Sequence, residues 1–328
     1  MNKRALRADI LLLLTAGIWG FGFVAQSSGM EYVGPFTYNG IRFIFGSLSL
    51  LPLIFFQRAR GKLQTAAGTG RQLVFSFVAG TVLFFAVALQ QMGLMFTTAG
   101  NAGFITGLYV VLTPVFGIFL KKKTRLPTWI GMAVALGGLY FISMPEDMGA
   151  VNPGDLITMI SAVFWACHIL LIDYLVQRMD PLILSSGQFA WCGLYAWLAA
   201  LTIEPFVKGW AFSLAPKSIQ KWETFMGFFN NPNTPAVLLG AAIPILYGGL
   251  ASVGIAYTLQ VVAQKDAPPA HATIILCLEG SFAAFGGILL LKEMLKPLTV
   301  LGFFLMLCAM FITQWDIIRP GGGSPAKP

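Results

Sequence analysis

Charged side chains are scarce in this chain of 328 residues: Asp, Glu, Lys and Arg together make up 10%, against roughly a quarter in soluble globular domains. So few charges cannot clothe a water-facing surface, and a soluble domain of this length is excluded. Histidine occurs twice, at 168 and 271, and the four cysteines (Cys167, Cys192, Cys277, Cys308) stand singly in apolar stretches. That usage offers neither a disulfide framework nor a metal site. Also missing are HExxH, G-x-S-x-G, the Walker A pattern and any paired carboxylates beside a base. The chain reads as a non-enzyme without cofactor or metal, and no ATP-driven mechanism is written in it.

What the chain has in abundance is apolar length. Hydrophobic residues make up 57% and the mean hydropathy is +0.76. A helix needs ~20 mainly apolar residues to cross ~30 Å of hydrocarbon. Ten such runs are present, at about 8–28, 35–57, 71–92, 99–120, 126–144, 154–177, 182–204, 236–263, 270–291 and 297–318. They are continuous, whereas a membrane β-barrel shows ~10-residue alternating segments. The expected fold is therefore an all-α integral membrane protein with ten transmembrane helices. Lys3, Arg4 and Arg7 before LLLL imitate a signal peptide, but no clean small-x-small cleavage site follows.

The chain also repeats itself. DILLLLTAGIWGF at 9–21 returns 146 positions later as DLITMISAVFWAC at 155–167, and the same offset carries Pro35 onto Pro181 and Phe43 onto Phe189. From the third run the offset becomes 168, matching Ala88 with Ala256, Ala99 with Ala267 and Ala102 with Ala270. The difference predicts an extracytoplasmic insert near 205–240, where Trp210, Trp222 and Phe225 suit either an interfacial amphipathic segment or a disordered loop. Two halves follow, 1–148 and 149–318, with a flexible cytoplasmic tail at 319–328.

Lys and Arg set the orientation. They occupy the N-terminus, the second connection (Arg58, Arg60, Lys62, Arg71) and the fourth (Lys121, Lys122, Lys123, Arg125), while the first, third and fifth connections carry none. The second half is less biased, with Arg178 and Lys265 inside, Lys292 and Lys296 outside, and Lys208, Lys217 and Lys221 in the insert. Both termini are expected in the cytoplasm, and five spans per half, an odd number, turn the second half upside down relative to the first. The layout is two inverted five-helix repeats, as alternating-access transporters use. The net charge of +8 faces anionic lipid in this reading and calls for no nucleic acid.

Within this layout, Trp19-Gly20 after the first apolar run, Arg42 inside the second, LTPVF at 112–116, and LEGSF at 278–282 followed by LLLKE at 289–293 resemble the drug/metabolite transporter superfamily in its EamA-type branch. The resemblance spans 8–318. It implies a bacterial inner-membrane carrier similar to amino-acid and metabolite exporters. Two positions depart from the family's pattern: Gly280 stands where the second half has proline in L-E-P, and lysines stand where the first half has a Glu before its fifth span.

Polar residues inside the runs supply the candidate site. Arg42 lies ~10 Å into its span, where an unpaired charge costs ~2.5 kcal/mol or more; it contacts an anion or forms a structural bridge. Glu279, ~13 Å into its span, is a candidate proton carrier or a structural carboxyl. Trp19 and Trp165, at matching depths, are candidate cavity walls, since an indole offers a broad apolar face and one N–H donor. Gln90, Asn101, Tyr109 and Tyr257 are expected around them, with Gln91, Tyr247 and Gln260 as neighbours and one of Gln90 and Gln91 turned to another helix. His168 shares a helix face with Trp165 and either relays a proton or bonds within the core; His271 is expected at the interface. Gly103 and Gly107 favour close helix approach, and Pro114 is expected to kink its span.

The expected function is secondary transport of a small polar or amphipathic metabolite, amino-acid-like first, by alternating access. A sugar, nucleoside or drug-like cation is the alternative cargo, and a membrane enzyme or scaffold the alternative class. The expected partners are the solute, protons if transport is coupled, and the bilayer, for a monomer or a homodimer.

Overall fold

A computed structural model describes residues 3–63, 68–122, 124–143, 153–208, 234–291 and 297–318. Helix falls on each apolar run, and no strand occurs among the described residues. The order is α1 (Lys3–Gly29), α2 (Pro35–Ala59), α3 (Thr69–Gly93), α4 (Ala99–Gly107), α5 (Tyr109–Phe119) and α6 (Leu126–Ser143). Then follow α7 (Pro153–Leu175), α8 (Pro181–Thr202), α9 (Thr234–Leu246), a π-helical segment (Tyr247–Tyr257), α10 (Thr258–Gln264), α11 (Pro269–Leu276), α12 (Glu279–Leu291) and α13 (Pro297–Ile318). The 209–233 part of the expected insert with Trp210, Trp222 and Phe225, the junction at 148–149, the 319–328 tail and Lys123, Lys217, Lys221, Lys292 and Lys296 lie outside the described residues.

Seven helical stretches among the described residues are long and apolar enough to cross a bilayer: Lys3–Gly29, Pro35–Ala59, Thr69–Gly93, Ala99–Phe119, Pro153–Leu175, Leu239–Gln264 and Pro269–Leu290. Leu126–Gly138 and Val300–Ile312 are shorter apolar helices. α8 has the length, at 22 residues, but not the hydropathy, because Ser185, Ser186 and Gln188 form a buried polar face. That face packs on α2, where Ser47 Oγ donates to the Ser186 carbonyl at 2.9 Å. Large apolar side chains such as Leu14, Phe55, Leu73, Phe119 and Ile243 are exposed while Arg42, Gln90 and Glu279 are buried. This inversion of the soluble pattern marks a multi-pass membrane protein.

The fourth and ninth runs are broken helices. At Leu108 the amide bonds back to the Ile105 carbonyl at 3.1 Å and Val111 N–H to the Leu108 carbonyl at 3.0 Å, a tight three-residue turn between α4 and α5. At Cys277–Leu278 the same device recurs, with Leu278 N–H to Ile275 at 3.2 Å and Gly280 N–H to Cys277 at 3.2 Å. α5 runs through Pro114, and the interruption of the span lies six residues earlier, at Leu108.

The eighth run is irregular in another way. Pro244 inside α9 withholds an amide donor and crowds the carbonyl one turn before it, and three residues later the chain widens into the π segment. That segment is laced to α1: Thr15 Oγ1 donates to the Ala256 carbonyl at 3.2 Å, Trp19 Nε1–H to the Ser252 carbonyl at 3.2 Å, and Tyr247 O–H to the Ile18 carbonyl at 2.8 Å.

Candidate functional site

Three rings from three helical stretches meet at the centre. Trp19 lies on α1, Trp165 on α7 and Tyr257 at the end of the π segment. The Trp19 and Tyr257 centroids are 4.5 Å apart, Trp165 and Tyr257 stack at 5.9 Å and 21°, and the two indoles are 6.2 Å apart. Behind Tyr257 stand Phe43 at 5.9 Å and Phe189 at 5.7 Å, the pair related by the 146-residue offset. These contacts lock the rings into a rigid wall.

The trio borders a narrow cavity. From the first half it is lined by Trp19, Phe23 and Gln26 of α1, Arg42 of α2, Gln90 of α3, Thr106 of α4 and Tyr109 of α5. From the second it takes Trp165 and Ile169 of α7, Ser252 and Tyr257 of the π segment, Gln260 of α10 and Glu279 of α12. The lining sets aromatic rings against convergent polar side chains, two of them charged types, Arg42 and Glu279.

Hydrogen bonds fix the polar members. Trp165 Nε1–H donates to Gln90 Oε1 at 3.2 Å, and Gln90 Nε2–H donates to Thr106 Oγ1 at 3.3 Å, so one glutamine ties α7 to α4 through α3. Tyr109 O–H donates to Glu279 Oε1 at 2.9 Å. These two residues are the first of α5 and of α12, so the hydroxyl and the carboxyl meet where both helices resume after their breaks. Arg42, 2% exposed, donates from Nε to Asn39 Oδ1 at 2.9 Å, and Asn39 donates in turn to the Val87 carbonyl at 3.3 Å. The guanidinium carbon lies 5.3 Å from the Tyr38 ring and 5.1 Å from the Phe43 ring.

Not every candidate reaches the cavity. Asn101 sits in the first turn of α4, half-buried, where its amide is capped by Thr98 Oγ1 at 3.2 Å, and it is not among the lining residues. The expectation that it stands beside the indoles is corrected: the Thr98 cap fixes it at the helix end. His168 is fully buried outside the lining, edge-on to Trp165 at 5.9 Å and with Nε2 2.8 Å from Gln188 Oε1. Gln91 is buried away from the cavity. His271 is buried and pairs with Asp9 at 2.7 Å. Phe23, Gln26, Thr106 and Ser252 join without having been singled out. Phe23 and Gln26 follow Trp19 by four and seven residues, the spacing of one helix face, and that signal was available in the sequence.

The described residues contain no group of three or more His, Cys, Asp or Glu placed to hold a metal ion. The sequence model of the EamA-like transporter family matches residues 6–144 and 152–315. The chain belongs to that family. An Archaeoglobus fulgidus protein described as an uncharacterized transporter is 29% identical over 318 residues, covering 95% of this chain and 87% of its own. The Bacillus subtilis transporter YoaV, described in the same way, is 21% identical over 307 residues, with 92% and 94% covered. A crystal structure with 15% identity superposes with a TM-score of 0.70 over 94% of this chain and 96% of that one, which shows a shared fold. In this EamA-type membrane transporter the cavity between Trp19, Trp165, Arg42 and Glu279 is the candidate site for the solute.

Proposed function

We propose that the chain is a secondary transporter that moves a small polar or amphipathic metabolite, amino-acid-like solutes first, by alternating access around this cavity. The observation that carries the reading is the origin of the lining: both halves contribute, with Trp19 and Trp165 as counterparts in the repeat. In this reading the halves, 1–148 and 149–318, are inverted five-span repeats, and the chain crosses the bacterial inner membrane ten times with both termini in the cytoplasm. The breaks at Leu108 and at Cys277–Leu278 fall at nearly corresponding positions of the 168-residue offset, which supports the pairing of the halves. Broken helices are where such carriers bend and bind.

Glu279 is the proposed proton site. It sits at the hinge of α11 and α12 with Tyr109 as its partner from the hinge of α4 and α5, so a change in its charge acts on both hinges. Proton uptake from one side and release to the other then couples to the exchange of cavity access.

Uptake of labelled neutral and aromatic amino acids into proteoliposomes, with and without an imposed pH gradient, tests both claims against the Glu279→Gln variant. Saturable uptake accelerated by the gradient only when Glu279 is present is the expected result. Saturable uptake indifferent to both makes Glu279 structural, and absence of uptake for every amino acid sends the search to another metabolite class.

A further inference from the structure

We infer that Arg42 holds the carboxylate of the cargo, which is therefore an organic acid with a hydrogen-bond donor beside its carboxylate and an apolar body laid against Trp19, Trp165 and Tyr257. The inference rests on the reading of the cavity as the transport site and adds the chemical class of what enters it.

A guanidinium has five N–H donors. In Arg42 the Nε–H is taken by Asn39, and the four on the terminal nitrogens meet no protein acceptor among the described residues. No ion pair to Arg42 occurs there either. The neighbouring Tyr38 and Phe43 rings support the cation, and the Tyr38 hydroxyl donates to the Pro244 carbonyl at 3.0 Å and makes no bond to the terminal donors. A planar fork of donors at a cavity wall, held by Asn39 and lacking a counter-ion, matches a planar two-oxygen anion.

The same cavity holds the opposite deficit. Gln26 Nε2 donates to the Gly22 carbonyl at 3.2 Å. A carbonyl only accepts, so the amide cannot be reversed, and the Oε1 left over is buried with no partner. Gln260 Nε2 donates to Gln264 Oε1 at 2.9 Å, and Gln264 Nε2 donates to the Ile169 carbonyl at 3.1 Å. That chain has one direction as well, and it leaves Gln260 Oε1 buried and unpartnered. A buried acceptor without a donor is costly. Both glutamines line the cavity with Arg42. A carboxylate with a neighbouring ammonium or hydroxyl supplies what each end lacks. A simple cation meets the charge of Arg42 head-on, and a neutral sugar leaves that charge unpaired.

Binding to the purified full chain tests this with two sets of matched probes. One is phenylalanine, phenyllactate, phenylpropionate and phenylalaninamide; the other is leucine, 2-hydroxyisocaproate, isocaproate and leucinamide. The amino and hydroxy acids are expected to bind, the plain acids about three- to tenfold more weakly for want of one donor, and the amides at least about tenfold more weakly than the amino acids. Ammonium and hydroxyl are told apart by which of the first two members binds more tightly. Arg42→Gln is expected to erase the preference for acid over amide; should that variant not fold, the comparison on the native chain still decides. Amides that bind as well as acids, or no binding by any acid of either set, overturn the proposal. If amides match acids and Trp19→Ala and Trp165→Ala both abolish binding, the cavity reading stands and the carboxylate anchor falls. Binding of acids that survives both tryptophan variants overturns the cavity reading itself.

Discussion

Gln90 holds two helices to the cavity wall at once, accepting from Trp165 and donating to Thr106. Gln90→Leu leaves a buried indole N–H without an acceptor, which costs ~1–3 kcal/mol. The expected outcome is a lowered thermal midpoint in detergent together with weakened solute binding, since Trp165 is then free to turn. Glu279→Leu is expected to destabilise by a similar ~1–3 kcal/mol through the orphaned Tyr109 hydroxyl, whereas Glu279→Gln keeps an acceptor and is expected to retain its folded yield on size-exclusion chromatography. Equal losses in the two variants would contradict the Tyr109 pairing. Trp19, Trp165 and Glu279 were legible in the sequence because repetition or an isolated charge singled them out. Thr106 and Ser252 were not, because a lone hydroxyl in a membrane helix serves packing as often as binding, and its value depends on which way the helix is turned.

At the scale of helices, the contacts that fix the site are close approaches and borrowed caps. A Cβ at Gly20 would lie 2.8 Å from both the Ala283 nitrogen and the Glu279 carbonyl, and one at Gly103 would lie 3.3 Å from Gly280 Cα. α12 is thus wedged between α1 and α4, and Gly280 lies where α4 passes. Gly20→Val is expected to give little monodisperse protein, because backbone rather than a movable side chain blocks the new methyls. The N-terminus of α2 has no side-chain cap of its own. Glu204, more than 160 positions away, accepts from Phe36 N–H at 2.9 Å and Thr37 N–H at 2.8 Å and from the Thr37 hydroxyl at 2.6 Å. A carboxylate suits this position because the helix N-terminus is its positive end. Glu204→Ala is expected to cost ~1–3 kcal/mol, read as a lowered thermal midpoint, with Glu204→Gln losing less. An unchanged midpoint in the Ala variant would remove the cap from the account. The helices were legible from apolar length, but not the Glu204 cap, which depends on tertiary proximity. Nor was the break at Leu108 legible, since proline six residues later is the stronger signal in the sequence.

Across the whole molecule, two side-chain pairs among the described residues join the two halves. Asp9 of α1 meets His271 of α11, and Lys122, after α5, meets Asp173 of α7. In the proposed topology both pairs lie at the cytoplasmic end, and there they are proposed to act as a latch. Lys122→Asp and Asp173→Lys are each expected to speed solute release from proteoliposomes loaded with a bound amino acid, by setting like charges face to face, and the doubly exchanged variant to return towards the native rate. Failure of the double exchange to restore that rate would show that the pair does not act as a latch. The repeat in sequence was legible at this scale because the 146-residue echo of Asp and Trp is long enough to rise above chance; the inversion of the halves belongs to the proposed topology. The two pairs were not, because partners 262 and 51 positions apart share no local pattern.

The central claim is that one cavity, walled by Trp19 and Trp165, serves both sides of the membrane in turn. Counterflow tests it most directly: proteoliposomes loaded with unlabelled solute, challenged with the labelled form, and compared between the native chain and its Trp19→Ala and Trp165→Ala variants at equal folded protein. The account requires saturable counterflow in the native chain and its loss in both variants. Counterflow at the native rate in either variant would contradict it.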